Sequence, residues 1–349
     1  MLKAKGYAVD SSESGFRSFD FERRDIGPTD IHIEILYCGV CHSDIHQARG
    51  EWGNSTYPMV PGHEIVGRVA EIGENVTKFA VGDLAGVGCF VDSCRNCPNC
   101  GKGKEQFCTT HCSATYNGTE MDKVKPTYGG YSDRIVIDEY YALKIRADQD
   151  LASVAPLLCA GITTYSPLVR FGAGPGKKVG IVGLGGLGHM GVKIAVAMGA
   201  DVTVFSTSPT KETDAKALGA QHFALTTDPA NLKPLAGTFD LIIDTVSANH
   251  DVDLYLKLLA VEAALVLVGL PDKPLEVPAF SIASNNRTLA GSSIGGIRET
   301  QEMLDFCAAK NIVSDIEMIP IQKIEEAYER TIRSDVRYRF VIDIASLKD

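Results

Sequence analysis

The stretch Gly183-Leu184-Gly185-Gly186-Leu187-Gly188 leaves a chain few ways to fold around it. It follows the short apolar run Lys178-Val179-Gly180-Ile181-Val182, which reads as a buried strand, and precedes an apolar helical segment at 190–198. A G-x-G-x-x-G turn between strand and helix is the spacing of a dinucleotide-binding crossover. Gly183 permits the tight turn, Gly185 lets the backbone approach a pyrophosphate, and Gly188 lets helix and strand pack closely. Gly186 and Leu187 open the helix, whose unpaired amides and positive dipole end suit an anion. Further strands at 201–205, 239–244 and 264–268, with a helix over 210–218, continue the alternation. A doubly wound parallel sheet is the expected fold of this part of the chain.

The end of the next strand bears on which dinucleotide binds. An NAD site places an Asp or Glu about twenty residues beyond the glycines, against the ribose 2′-hydroxyl. Here the chain runs Phe205-Ser206-Thr207-Ser208-Pro209-Thr210-Lys211. Hydroxyls at Ser206, Thr207 and Ser208 with the Lys211 cation suit a 2′-phosphate, which a carboxylate would repel. NADP(H) is the expected cofactor.

The N-terminal part has a different pattern. Asp30-Ile31-His32-Ile33-Glu34-Ile35-Leu36-Tyr37 alternates like a half-buried strand, and 64–73 and 82–87 look like further strands. Frequent glycines among them suit a small curved barrel. With 349 residues the chain exceeds one ordinary core. The expected division is a catalytic domain over 1–152, a nucleotide-binding domain over 153–290, and a segment 291–349 that returns to the first. A helix at 299–310 and a strand at 338–343 are expected in that last segment.

A net charge of −10 without a basic stretch excludes nucleic acid as the main partner. No apolar run reaches membrane-spanning length, and no signal-like hydrophobic stretch follows Met1-Leu2-Lys3-Ala4-Lys5, so no membrane role and a cytoplasmic location are expected. Thiols stay reduced there, and clustered cysteines point to metal ligands rather than disulfides. Cys94, Cys97, Cys100 and Cys108 stand as C-x₂-C-x₂-C-x₇-C. Four thiolates close a tetrahedron around Zn²⁺ and leave no open position, which is the structural type of site. His111 and Cys112 lie near enough to compete for the fourth place. A second set is dispersed: Cys38 and Cys41 with His42, Ser43, Asp44 and His46, then His63-Glu64, then Cys159. Taken singly, each of these is as readily a buried core residue.

CGVCHSDIH, PGHE, the four-cysteine lobe, PLLCAG, GLGGLG and Val336-Arg337-Tyr338-Arg339-Phe340 occur in this order. In that combination the whole chain resembles the zinc-dependent medium-chain alcohol dehydrogenases. The hydroxyl-rich turn, PLLCAGITTY and GSSIGG make it most similar to their NADP-dependent cinnamyl-alcohol-dehydrogenase-type branch, which includes bacterial broad-range aldehyde reductases. The resemblance implies a GroES-like β-barrel catalytic domain beside a Rossmann domain, and two Zn²⁺ per subunit, one catalytic and one structural. It makes Cys41, His63 and Cys159 the catalytic ligands, the set known for alcohol dehydrogenase. Asp44 then orients His63, and Glu64 either approaches the metal or pairs with an arginine. Ser43 and His46 fall at the places of the family's proton relay. By position, His42, Thr163, Thr245, Gly269, Ile294 and Arg337 fall along the cofactor, and Trp52 in the substrate pocket. The implied reaction is hydride transfer between NADPH and a small aldehyde, reversed as primary alcohol oxidation, in a homodimer. Polyol or amino-alcohol oxidation on the same scaffold is the alternative, and a non-catalytic NADP-binding zinc protein the third reading.

Overall fold

The computed structural model describes residues 1–348. The chain forms two compact units, one of Met1–Cys159 with the segment from Gly295 onward, the other of Ala160–Ile294. The boundaries expected at 152 and 290 therefore both fall early. The helix Leu151–Val154 and the turn Ala155–Leu158 pack against strands of the first unit. Leu158 lies against Gly86, where an added Cβ would come within 3.1 Å of the leucine. That packing carries Cys159 into the first unit.

The central sheet of the first unit runs in the order Ile316–Pro320, Arg339–Asp343, Asp30–Gly39, Ile65–Ile72, Leu84–Val87, Leu143–Lys144. Arg134–Asp138 pairs with the first half of Asp30–Gly39, and Arg339–Asp343 with its end. One long strand thus holds two partners on one side, and register shifts at His32/Ile33 and Ile35/Tyr37 bend it. Ile31, Ile33, Ile35, Ile65, Val69 and Phe340 fill the core between. The return strand, legible at 338–343, brings Arg339 and Phe340 into this sheet.

The second unit is a six-stranded parallel sheet ordered His222–Leu225, Asp201–Ser206, Lys178–Val182, Phe239–Asp244, Leu259–Leu267, Thr288–Gly291. The order reverses between Lys178–Val182 and Phe239–Asp244, which opens a crevice at the carboxyl ends of those strands. His222–Leu225 and Thr288–Gly291 were not anticipated. Both are four-residue edge strands with mostly half-exposed side chains, so neither leaves an apolar run to read. Among the described residues no single helix is long and apolar enough to cross a membrane.

Candidate active site and metal centres

Cys41 caps the helix His42–Ala48, in extended conformation at φ −102°. Asp44, at the third helical position, accepts the Cys41 amide at 2.8 Å with Oδ2. Its Oδ1 accepts the Gly62 amide at 3.2 Å and faces His63 Nδ1 at 3.0 Å. One buried carboxylate therefore fixes both Cys41 and His63. Gly62 sits at φ +103°, and a Cβ there would meet Tyr131 at 2.7 Å and Cys38 at 2.8 Å, so only glycine fits before His63. Cys159 ends the turn Ala155–Leu158 and brings its sulfur to 3.8 Å from that of Cys41.

Donor atoms of Cys41, His63, Glu64 and Cys159, all buried, lie within 4.8 Å of one another. With Nδ1 turned to Asp44, His63 has Nε2 left to coordinate. Two thiols and an imidazole are the donor chemistry of Zn²⁺, so the site fits that ion. The hydrogen bond between the sulfurs draws the Cys41 thiol well below its ordinary range and pushes Cys159 above it. Burial would lower His63, but Asp44, Cys89 and Cys41 together outweigh it and leave the ring well above its usual value. Burial raises Glu64 to about 8 against the pull of Arg339. Both alternatives raised for Glu64 have a physical basis: Oε1 pairs with Arg339, while buried Oε2 has no hydrogen-bond partner.

The helix carrying Asp44 also carries Ser43 and, one turn on, His46. His46 stacks on Trp52 with ring centres 5.2 Å apart, and the His42 ring lies 5.1 Å from that of His46. Trp52 is 41% exposed, so its ring is not part of the core. His46 Nδ1 contacts the Glu51 carboxylate. Glu51 was not singled out in the sequence, although it stands five residues from His46.

In the four-cysteine lobe the sulfurs of Cys94, Cys97, Cys100 and Cys108 also lie within 4.8 Å of one another. Amides of Cys100 and Thr109 pull the Cys97 thiol down to about 5. Cys94 N donates to Cys108 Sγ at 3.5 Å, and the Ser93 hydroxyl reaches Cys100 Sγ at 3.2 Å. Four sulfurs and no other donor fit a closed Zn²⁺ site. His111 turns to the Thr119 carbonyl at 3.0 Å instead. Cys112 stays outside the cluster, its thiol pushed up to about 12 by burial. Cys38 is buried outside both donor groups, with its sulfur toward the Gly39 carbonyl. Cys89, half-buried, directs its sulfur to the Leu158 carbonyl at 3.9 Å beside Cys159, whose thiol lowers it, so it borders the catalytic set.

The cofactor residues expected in the second unit cluster at the carboxyl edge of its sheet. Gly183 has φ +86°, and a Cβ there would meet Val246 at 2.9 Å and Thr245 at 3.1 Å. A Cβ on Gly188 would overlap the Gly183 carbonyl, whereas one on Gly185 would meet nothing within 4 Å. Turn, open approach and close packing thus fall on the three glycines as spacing required, and this cradle fits a dinucleotide pyrophosphate. Gly186 and Leu187 begin the helix Gly186–Ala197. Thr245 Oγ1 donates to the Val182 carbonyl at 2.7 Å, and the Gly269 amide to Asp244 at 3.0 Å. Ser206 accepts the Ser208 amide at 3.1 Å, Thr207 lies between them, and Lys211 opens the helix Lys211–Ala217. Thr163 is buried on Ala160–Arg170, and Ile294 ends the unit with φ +39°. Arg337 is an exposed residue of the first unit whose amide donates to Glu317 at 3.2 Å.

Residues 27–147 match the alcohol dehydrogenase GroES-like domain and residues 186–309 the zinc-binding dehydrogenase family. The chain is 55% identical over 349 residues to the NADP-dependent alcohol dehydrogenase C 1 of Mycolicibacterium smegmatis, covering 100% of both. It is 53% identical to the aldehyde reductase YahK of Escherichia coli, again covering 100% of each. The solved structure of CAD from Helicobacter pylori complexed with NADP(H) superposes with TM-score 0.93 at 45% identity, over 99% of both chains. With a GroES-like domain, a parallel nucleotide-binding sheet and this identity along its whole length, the chain belongs to the zinc-binding alcohol dehydrogenase family of oxidoreductases.

Proposed function

We propose that the protein is an NADPH-dependent aldehyde reductase that converts aromatic and aliphatic aldehydes to primary alcohols. The observation that carries this reading is the buried convergence of Cys41, His63 and Cys159 beside the helix bearing Ser43 and His46. The three ligands and Glu64 would hold a catalytic zinc, and Cys94, Cys97, Cys100 and Cys108 a structural one. When bound, zinc supplies Lewis acidity at the carbonyl oxygen and NADPH supplies the hydride.

The chain's own residues do the remaining work. Asp44 holds His63 in one orientation. Ser43, whose hydroxyl both donates and accepts, passes a proton toward the new alcohol oxygen. His46 resupplies it: its Nδ1 is held by the Glu51 carboxylate, which leaves Nε2 to carry a proton between solvent and Ser43. The His46 side chain is 25% exposed, so it exchanges protons with solvent while Cys41, His63 and Cys159 stay dry. Trp52, stacked on His46, offers a flat face to a benzylic or cinnamyl group.

The test is oxidation of NADPH and NADH with benzaldehyde, cinnamaldehyde and a short aliphatic aldehyde, beside reduction of NADP+ and NAD+ with mannitol and threonine. Aldehyde turnover favouring NADPH is expected. Turnover confined to mannitol or threonine would transfer the site to the polyol or amino-alcohol reading. For the cofactor, the hydroxyl turn supports NADPH through Ser206, Thr207, Ser208 and Lys211. Ser206→Asp is expected to raise the KM for NADPH about tenfold, the effect of roughly 1.4 kcal/mol of lost binding, and to spare NADH. An unchanged NADPH/NADH ratio in that variant would remove Ser206 from the 2′-phosphate site.

A homodimer built through the second unit is supported by Val261, Leu270 and Phe280, which are 66%, 66% and 81% exposed. The same unit ends its sheet on the unpaired edge of Thr288–Gly291, and exposed apolar side chains and an open strand edge each favour association. Phe280→Glu is expected to shift the protein from dimer to monomer in sedimentation velocity, and an unshifted dimer would place the interface elsewhere.

A further inference from the structure

We propose that Tyr131 and Tyr328 form an outer hydrogen-bond relay that holds Asp44, and through it His63, and so sets how tightly the catalytic metal is retained. This rests on the reading of Cys41, His63 and Cys159 as a metal site. Both tyrosines are positioning residues, and neither touches substrate.

Asp44 is fully buried, and its two oxygens offer about four acceptor positions. Oδ1 is taken by the Gly62 amide and His63 Nδ1, and Oδ2 by the Cys41 amide. These three donors belong to the ligands or to their neighbour, so they move with the site and cannot anchor it. Tyr116 stacks its ring on His63 at 5.8 Å. One hydrogen-bond donor comes from elsewhere. Tyr131 donates to Oδ2 at 3.3 Å, and its ring is wedged against Gly62, the residue before His63.

Tyr131 is itself oriented. A phenol can donate and accept, and which it does depends on its surroundings. Tyr328, on the helix Ile324–Ile332 of the return segment, donates its hydroxyl to the Tyr131 oxygen at 3.3 Å. That bond fills the acceptor side of Tyr131 and turns its proton to Asp44. The Tyr131 side chain is completely buried and Tyr328 is 3% exposed, so water does not compete. Phe16 packs across both rings, edge-on to Tyr328 at 5.4 Å. The line Tyr328–Tyr131–Asp44–His63 thus joins the C-terminal segment to an imidazole placed to bind metal. Partners of this kind change metal affinity about 10–100-fold when removed. The two hydroxyl contacts are long for O–H···O bonds, which puts the expected effect at the lower end, about tenfold.

The test measures zinc release from the full-length holoenzyme to a chromogenic chelator for wild type, Tyr131→Phe, Tyr328→Phe and the double variant. Cys159→Ser, expected to retain only the lobe metal, identifies which phase belongs to which site. Tyr131→Phe is expected to release the catalytic metal about tenfold faster. Tyr328→Phe should have a smaller effect, the double variant should match Tyr131→Phe alone, and the lobe phase should not move. That non-additivity marks Tyr328 as acting through Tyr131. Unchanged release in Tyr131→Phe, additive effects, or acceleration of both metals together would overturn the relay. A wild-type protein with no second metal would instead overturn the site reading on which it rests.

Discussion

Replacing Cys159 with serine is expected to lower aldehyde turnover about a thousandfold and zinc content by one equivalent, with the far-UV spectrum unchanged. The magnitude follows from the several kcal/mol that Lewis-acid polarisation contributes to such a transition state, at tenfold per roughly 1.4 kcal/mol. Serine is nearly isosteric, but its hydroxyl is a hard and neutral donor, so the set falls to one thiolate and one imidazole. The fold should hold because Cys159 ends a turn whose packing is made by Leu157 and Leu158 rather than by the sulfur. Removing Cys159 also ends its hydrogen bond with Cys41, which brings that thiol back toward its ordinary range and further from thiolate. Zinc analysis with steady-state kinetics checks this. Wild-type turnover with two zincs would show that Cys159 is no ligand.

Replacing Cys100 with serine should act on stability first. Cys100 lies at the centre of the lobe, 3.5 Å from Cys97 and 3.9 Å from Cys94. The lobe has little core of its own: two short strands, Phe90–Ser93 and Cys112–Ala114, and two single-turn helices. Structural zinc contributes about 10–16 kcal/mol to small domains of this sort, so losing one ligand of four costs several kcal/mol. The damage should spread within the first unit, because the lobe is tied to the return segment. Glu105, buried there, accepts the Tyr140 hydroxyl at 2.7 Å and the Ile297 amide at 3.2 Å. A drop of well over 5 °C in the first thermal transition is expected, with loss of one zinc. Folded Cys100→Ser should keep measurable aldehyde turnover, in contrast to Cys159→Ser. An unchanged melting profile would deny the lobe its structural role.

How far these features could be read from sequence depended on how local their physics is. The glycine turn was legible because the three constraints act within six residues, and each appears in the backbone where spacing put it. The lobe was legible for the same reason: four cysteines within fifteen positions have few ways to converge except on a metal. Cys41, His63 and Cys159 are far apart, and nothing in their spacing joins them. Resemblance to a family suggested the set before the fold brought the donors together. Glu51, Tyr131 and Tyr328 went unread because their roles arise from packing. The contact between Tyr131 and Tyr328 spans 197 residues, and no local pattern marks it. Cys159 was also assigned to the wrong side of the domain boundary, since the tertiary packing of Leu157 and Leu158 decides where that turn belongs.

The central claim is a division of labour: the conspicuous cysteine cluster holds the fold, and the dispersed residues carry the chemistry. Its most direct test is zinc per chain measured beside NADPH oxidation with benzaldehyde, in wild type, Cys159→Ser and Cys100→Ser. Two zincs in wild type, one in each variant, and turnover abolished only by Cys159→Ser is the expected result. A single zinc in wild type with full turnover, or activity that vanishes in folded Cys100→Ser and survives in Cys159→Ser, would contradict it.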